Sequence, residues 1–321
     1  MQKVFIGIDI SSATVDIHVK QTKQPAIQLA NEVKALKAFF KPYNKENTIV
    51  AMENTGKYNW SLFEVLAKFK GQVFVINPLH LKKSMGMIRG KNDRIDAYRI
   101  CSFIEKHHQE MKPWQPTTEV IRKIKVLICE RTSRVKMKTG IKQRKKLAQP
   151  LGLNASLAQL SEELLKHLDR QIQLLEEQIQ ELIEQDQQLC EQAILLQSIP
   201  GVGKILCWMM IAKTEGFTTF TEPRKMACYC GVVPFDHQSG TSLKSKPRVS
   251  IYADKSMKTI LHLSALRAVR LNNDLQQYYQ RKVEEGKNKM SVLNAVRNKI
   301  IHRMFAVTRN QKPYVINLVL S

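Results

Sequence analysis

Four carboxylates and one serine are the residues with the clearest chemistry to offer. Asp9 stands in "VFIGIDISSATVDIHVK", Glu53 closes "TIVAME", Asp93 and Asp96 lie three apart in "NDRIDAYRI", and Ser239 lies in "GVVPFDHQSGTS". Convergent carboxylates repel one another unless a cation offsets them. Mg2+ takes hard oxygen ligands and stabilises oxygens during phosphoryl transfer, with two ions about 3.5–4 Å apart in the usual nuclease geometry. Each acid also has an ordinary reading: Asp93 as a helix cap, Glu53 as a strand end. Asp16 competes with Asp9; strand alternation sets it apart in this reading, although the sequence does not fix its side. A serine hydroxyl is a poor nucleophile until something takes its proton or stabilises the alkoxide. His237 is two residues away, but no Ser-His-Asp order stands out.

The elements that must position these groups follow from hydrophobic patterning. Residues 3–10, 14–20, 25–30, 48–53 and 72–78 read as strands, with helices over 32–40, near 60–69 and from Asp93 onward. Strands first and strand–helix alternation afterwards predict a mixed α/β domain of about 110 residues. Residues 112–150 carry twelve Lys or Arg against two Glu, largely on a helix predicted over 119–146. Residues 157–195 are acidic, with nine Asp or Glu against two Lys or Arg. There Leu165, Leu168, Ile172, Leu175, Ile179, Leu182 and Leu189 keep heptad spacing, with Asp186 in the vacant seam position. This arm could pair within the chain against the basic helix or between chains; an arm supporting assembly is the favoured reading. From Leu196 the pattern is mainly helical, with helices over 223–230, 255–272, 276–285 and 290–305, and "KPYVINLVL" as a docked tail. In "SIPGVGK", Gly201 and Gly203 permit close approach of a phosphate and Lys204 adds charge, although a plain helix–helix corner gives the same string.

The chain has 321 residues and a formal net charge of +23, which points to a polyanionic partner, nucleic acid first. No stretch approaches the ~20 apolar residues needed to span a bilayer, so no membrane partner is expected. No secretory signal is read at the N-terminus. The six cysteines are scattered and lack metal-ligand spacing, as expected of reduced thiols in the cytoplasm.

The strings "IGIDISSATVDI", "AMENTG", "VINP", "RGKNDRIDAYRI", "SIPGVGKILCWMMIA" and "MACYCGVVPFDHQSGTS" occur in this order. Together the chain resembles the Asp-Glu-Asp-Asp transposases of the insertion-sequence 110/1111 family, bridge-RNA-guided recombinases, over nearly its whole length. The resemblance implies a ribonuclease H-like, junction-resolvase-like metal domain over 1–110, a basic helix and coiled-coil linker over 111–195, and a mainly α transposase domain over 196–321. It places the acidic set on Asp9, Glu53, Asp93 and Asp96, with Mg2+ as cofactor. It places the nucleophile on Ser239, with Thr241 and Ser242 as near competitors. It implies a composite of both domains, a 5′-phosphoserine intermediate, and donor and target DNA as substrates. A noncoding bridge RNA would supply sequence choice, and a dimer would assemble into a tetramer, in the bacterial cytoplasm at the nucleoid. Many relatives carry a Ser-Lys-x-Gly segment that "SIYADKSMKTIL" lacks, which leaves the phosphate contacts open among Lys244, Lys246, Arg248 and Lys255. Lys142, Arg144, Lys145 and Lys146 are candidates for RNA or DNA backbone. The alternatives are a metal-dependent junction endonuclease and a non-catalytic architectural protein.

Overall fold

The computed structural model describes residues 2–20, 26–84, 93–148, 154–239 and 243–316. These form two compact units, Met1–Pro116 and Thr117–Ser321. The first unit runs β1 (Val4–Ile10), β2 (Thr14–Val19), β3 (Ile27–Ala30), α1 (Val33–Phe40), β4 (Thr48–Glu53), α2 (Trp60–Leu66), β5 (Gln72–Ile76), α3 (Pro78–Ser84) and α4 (Asp93–His107). Its sheet has the order β3-β2-β1-β4-β5. β1, β2 and β3 are antiparallel neighbours, while β1, β4 and β5 run parallel.

Strand alternation gives this sheet two faces. Ile6, Ile8, Ile10, Val15, Ile17, Val50 and Met52 share one core with Leu36, Phe40, Leu62 and Leu66 of α1 and α2. Ile49, Ala51, Phe74 and Ile76 share the other with Ile100 and Ile104 of α4. On that second face α4 lies directly against β1 at Gly7. A Cβ there would stand 2.2 Å from the Ala97 carbonyl oxygen and 2.3 Å from the Cys101 nitrogen, so only glycine lets the helix settle this close. α4 descends from the C-terminal end of β1: Gly7 meets Ala97 and Cys101, and Phe5 stacks edge-on with His108.

The second unit runs α5 (Glu119–Ala148), α6 (Asn154–Glu184), α7 (Gln187–Gln197), α8 (Lys204–Thr214), α9 (Pro223–Tyr229), β6 (Phe235–Ser239), β7 (Leu243–Arg248), α10 (Lys255–Ala268), α11 (Asp274–Glu284) and α12 (Lys289–Asn310). α8 is apolar around its circumference and buried from Leu206 to Ala212, as expected of a central helix. α5 and α6 pair antiparallel within the chain. The heptad seam faces inward, with Leu165, Leu168 and Ile179 buried and Ile172, Leu175 and Leu182 half-buried.

Three sequence-based expectations need correction, and one open alternative is narrowed. Asp186 is not a seam residue: the helix breaks before it, and its carboxylate caps α7 by accepting from the Leu189 N–H at 3.1 Å, a satisfied donor worth about 1 kcal/mol. Gly201 has φ +87°, and a Cβ there would meet the Ser264 carbonyl oxygen at 2.5 Å, so it serves close packing against α10, as a plain helix–helix corner requires, while Gly203 has open space beside it. The region after Leu196 contains a β-hairpin, β6–β7, inside its helices. α10 stops at Ala268 rather than 272, where the buried Asn273 takes over as the cap of α11. The tail is docked at Tyr314, whose N–H donates to Ser198 Oγ and whose hydroxyl reaches Asp274.

Candidate catalytic residues in the two units

The register of the sheet brings three acids onto the α4-covered face. Asp9 is the penultimate residue of β1, and Glu53 the last of β4. Since Ile8 pairs with Met52 in parallel, the next step along both strands sets Asp9 beside Glu53. Asp16 is the antiparallel partner of Asp9. Directly opposed residues share a face, with Cβ atoms about 4.5–5.5 Å apart. Asp16 is therefore the acid that alternation alone misassigned. The signal was the short turn: Asp9 and Asp16 lie equally far from it, and Ser11 and Thr14 close it through their hydroxyls and the Ser11 N–H to Thr14 carbonyl bond.

Asp16 is 3% exposed, and its carboxylate accepts from Gln28 Nε2 at 3.2 and 3.3 Å. Asp9 and Glu53 are half-buried. α4 begins at the Asp9 end of β1, which sets the Asp93–Asp96 turn at the same end of the sheet. Asp96 is half-buried and holds Arg99 at 2.7 Å. Asp93 is described by its backbone alone. Among the described residues no three His, Cys, Asp or Glu side chains converge closely enough to hold an ion by themselves. The donor chemistry nevertheless fits a hard divalent cation, because all the acids at this end offer carboxylate oxygen.

Ser239 ends β6 and pairs with Leu243 of β7, so its backbone belongs to a strand pair rather than to an open loop. Gly240, Thr241 and Ser242 lie outside the described residues, as do the side chains of Ser239, Lys244, Lys246 and Arg248. The register shifts between Phe235 and His237, a bulge that re-aims the strand before the serine.

The foot of this hairpin is tied from several sides. The Asp254 N–H donates to the Tyr229 carbonyl at 2.9 Å, and the Tyr229 hydroxyl donates to Asp254 Oδ2 at 3.1 Å. Lys213 pairs with Asp254 at 2.8 Å, and Asp254 also caps α10 through the Ser256 and Met257 N–H groups. Burial raises the Asp254 pKa, but the bonds from Lys213, Ser256 and Met257 outweigh it and hold the carboxyl far below its usual range. Burial lowers that of Lys213, and Asp254 with Tyr229 outweighs it, so Lys213 titrates above its usual value. A depressed carboxyl contributes stability above its unfolded pKa, which is lost as pH falls through the folded one. A raised ammonium contributes below its unfolded pKa, lost as pH rises through the folded one. The pair therefore stabilises throughout the neutral range. Asp254→Asn is expected to lower stability at pH 7 by about 2 kcal/mol, discounted for the partial exposure of Lys213. Denaturant midpoints should converge with wild type only in strong acid; a gap that persists there would remove the ion pair as its cause.

The basic helix is only partly free. Arg131 binds Glu176 at 2.7 Å, Lys145 binds Glu162 at 2.9 Å, Lys138 binds Asp169, and Arg134 donates to Gln171. The acidity of α6 thus matches the inner charge of α5. Lys136, Lys142, Arg144 and Lys146 remain exposed, without an ion pair among the described residues. Lys204 and Lys255 open α8 and α10 and are exposed. Neutralising Lys142, Arg144 and Lys146 together should flatten the log–log salt dependence of nucleic-acid affinity by about 2–3. An unchanged slope would take these three off the backbone.

A mixed sheet in the order β3-β2-β1-β4-β5, acidic at one end of its α4-covered face, fits a ribonuclease H-like domain, here followed in the chain by a basic helical unit. A family model described as "Transposase", for the Asp-Glu-Asp-Asp transposases of IS110, matches residues 6–148. A second, described as "Transposase IS116/IS110/IS902 family", matches residues 193–280. Relatives include the "Pilin gene-inverting protein" of Moraxella bovis and that of Moraxella lacunata, each 26% identical over 331 aligned residues and 98% of both chains. The chain belongs to the IS110 family of transposases. DNA is its partner, and a domain of this type depends on a divalent metal. No described helix is long and apolar enough to cross a membrane.

Proposed function

We propose that this transposase cuts and rejoins donor and target DNA through a covalent bond to Ser239. The observation that carries this reading is the occurrence, in one IS110-family chain, of acids at one end of a sheet face and a serine at the end of the first strand of a hairpin tied at its foot. Ser239 Oγ attacks a phosphorus, the bond from phosphorus to O3′ breaks, and the 3′-hydroxyl leaves with a proton. The product is a 5′-phosphoserine. Attack by a new 3′-hydroxyl reverses the step, so the phosphodiester energy is conserved and no ATP is needed. Asp9, Glu53, Asp93 and Asp96 would hold Mg2+, which would supply positive charge to offset that on the phosphate oxygens. Asp16, directly across from Asp9 on the same face, adds to the negative field that favours a cation there. The Moraxella relatives are named for inverting a gene, and inversion requires the same cutting and rejoining.

Sequence choice falls to a bridge RNA in this reading, with the protein holding backbone and duplex shape. The exposed basic row of α5 supports it. Assembly falls to the α5–α6 arm as a coiled coil: Leu157, Leu160, Leu164 and Leu174 stay exposed along α6 beside its filled inner seam, which supports pairing with further chains up to a tetramer. The test of the chemistry is DNA labelled at the scissile phosphate. Label that stays on protein through denaturation, opposite a free 3′-hydroxyl, is expected. Free cleaved DNA with no protein-bound label would instead mark a hydrolytic nuclease.

A further inference from the structure

Arg297 of α12 is a charged group in an unusual position. It is 5% exposed, yet no carboxylate among the described residues pairs with it, and its Nε has no hydrogen-bond partner. Its Nη2 lies 2.7 Å from Nδ1 of His262 on α10, and its Nη1 donates to Asn294 Oδ1 at 3.3 Å. Asn294 in turn donates to the Val232 carbonyl at 2.6 Å, three residues before the strand that carries Ser239. An uncompensated buried guanidinium is costly and wants an anion nearby.

The hydrogen bond from Arg297 also fixes the state of the imidazole. A guanidinium only donates, so Nδ1 must present its lone pair. His262 is then neutral, with its proton on Nε2, and burial and the Arg297 charge both lower its pKa. The ring is half-buried and stands two turns into the helix that leaves the hairpin foot.

We propose that His262, on the helix that follows the serine hairpin in the chain, is a DNA phosphate contact: its Nε2–H donates to a phosphodiester oxygen, and the buried Arg297 charge behind the ring draws the anion in. Neither the acidic set nor the expected lysine contacts include this pair. The proposal rests on the reading that the serine unit holds the DNA being cut.

The test uses full-length protein carrying Ser239→Ala, so that binding is measured without covalent capture. DNA duplexes with one neutral methylphosphonate at a time, scanned through the cut site, are titrated against this protein and against versions with His262→Phe or His262→Gln. One position should weaken binding by about tenfold in the parent and in His262→Gln, which keeps an amide donor, and have no effect in His262→Phe. A profile in His262→Phe identical to the parent overturns the proposal, as does an effect confined to RNA binding. Where the phenylalanine variant fails to fold, 15N-histidine NMR of the parent decides. The His262 ring should be protonated at Nε2 and shift with unmodified DNA but not with the sensitive methylphosphonate duplex; a resonance that ignores both overturns it. Failure of the serine reading shows differently, as covalent adduct persisting in the Ser239→Ala protein.

Discussion

Ser239→Ala is expected to abolish the protein–DNA adduct, with a loss of roughly 10⁴-fold or more in its rate of formation, as for removal of other covalent nucleophiles. The effect is large because no other group can form the same bond from the same place. DNA affinity should change little, since the hydroxyl is one small group among many backbone contacts. Thr241→Ala and Ser242→Ala are the matched controls, and each should retain the adduct. Denaturing electrophoresis of phosphate-labelled DNA reads all three. Adduct surviving in Ser239→Ala and vanishing in one of the controls would move the nucleophile along the hairpin; adduct in none, with free cleaved strands in all, would end the covalent mechanism.

Asp9→Asn should lower cleavage about 10²–10³-fold while DNA binding persists. Asparagine nearly matches the shape of aspartate, so the neighbouring Ile8 and Ile10 packing is kept. What disappears is one negative charge opposite the buried Asp16. That loss relieves a like-charge pair in the metal-free protein and weakens the cation site. Two readouts should therefore part company: metal-free thermal stability holds or rises, and the stabilisation gained on adding Mg2+ shrinks. Near-normal cleavage together with an undiminished Mg2+-dependent rise in Tm would remove Asp9 from the proposed role.

Much of this was legible in the sequence because the α/β unit obeys simple periodicities. β-branched alternation located its strands, and the inner seam of α6 was readable from heptad spacing alone. The failures have specific causes. Asp16 was set apart because alternation within a strand says nothing of the partner's register; only the distance of each acid from the turn does. Asp186 fitted a seam position because a helix cap and a polar heptad residue are spelled alike. The β6–β7 hairpin was hidden because "FDHQS" and "LKSKPR" lack the apolar alternation that marks a half-buried strand. The tie between Arg297 and His262 joins residues 35 apart on two different helices, and no local pattern announces it.

At Gly7 peptide touches peptide, with no side chain as a cushion between strand and helix. A cushion can be thickened or thinned by substitution; bare backbone cannot. Strand and helix are thereby locked like tongue and groove, and exchanges among Ile100, Ile104 and their neighbours can loosen the joint's filling without altering its depth. The elevation of the first turn of α4 above the sheet is a property of the chain's own cross-section, which makes it a datum for the acids rather than an adjustable quantity.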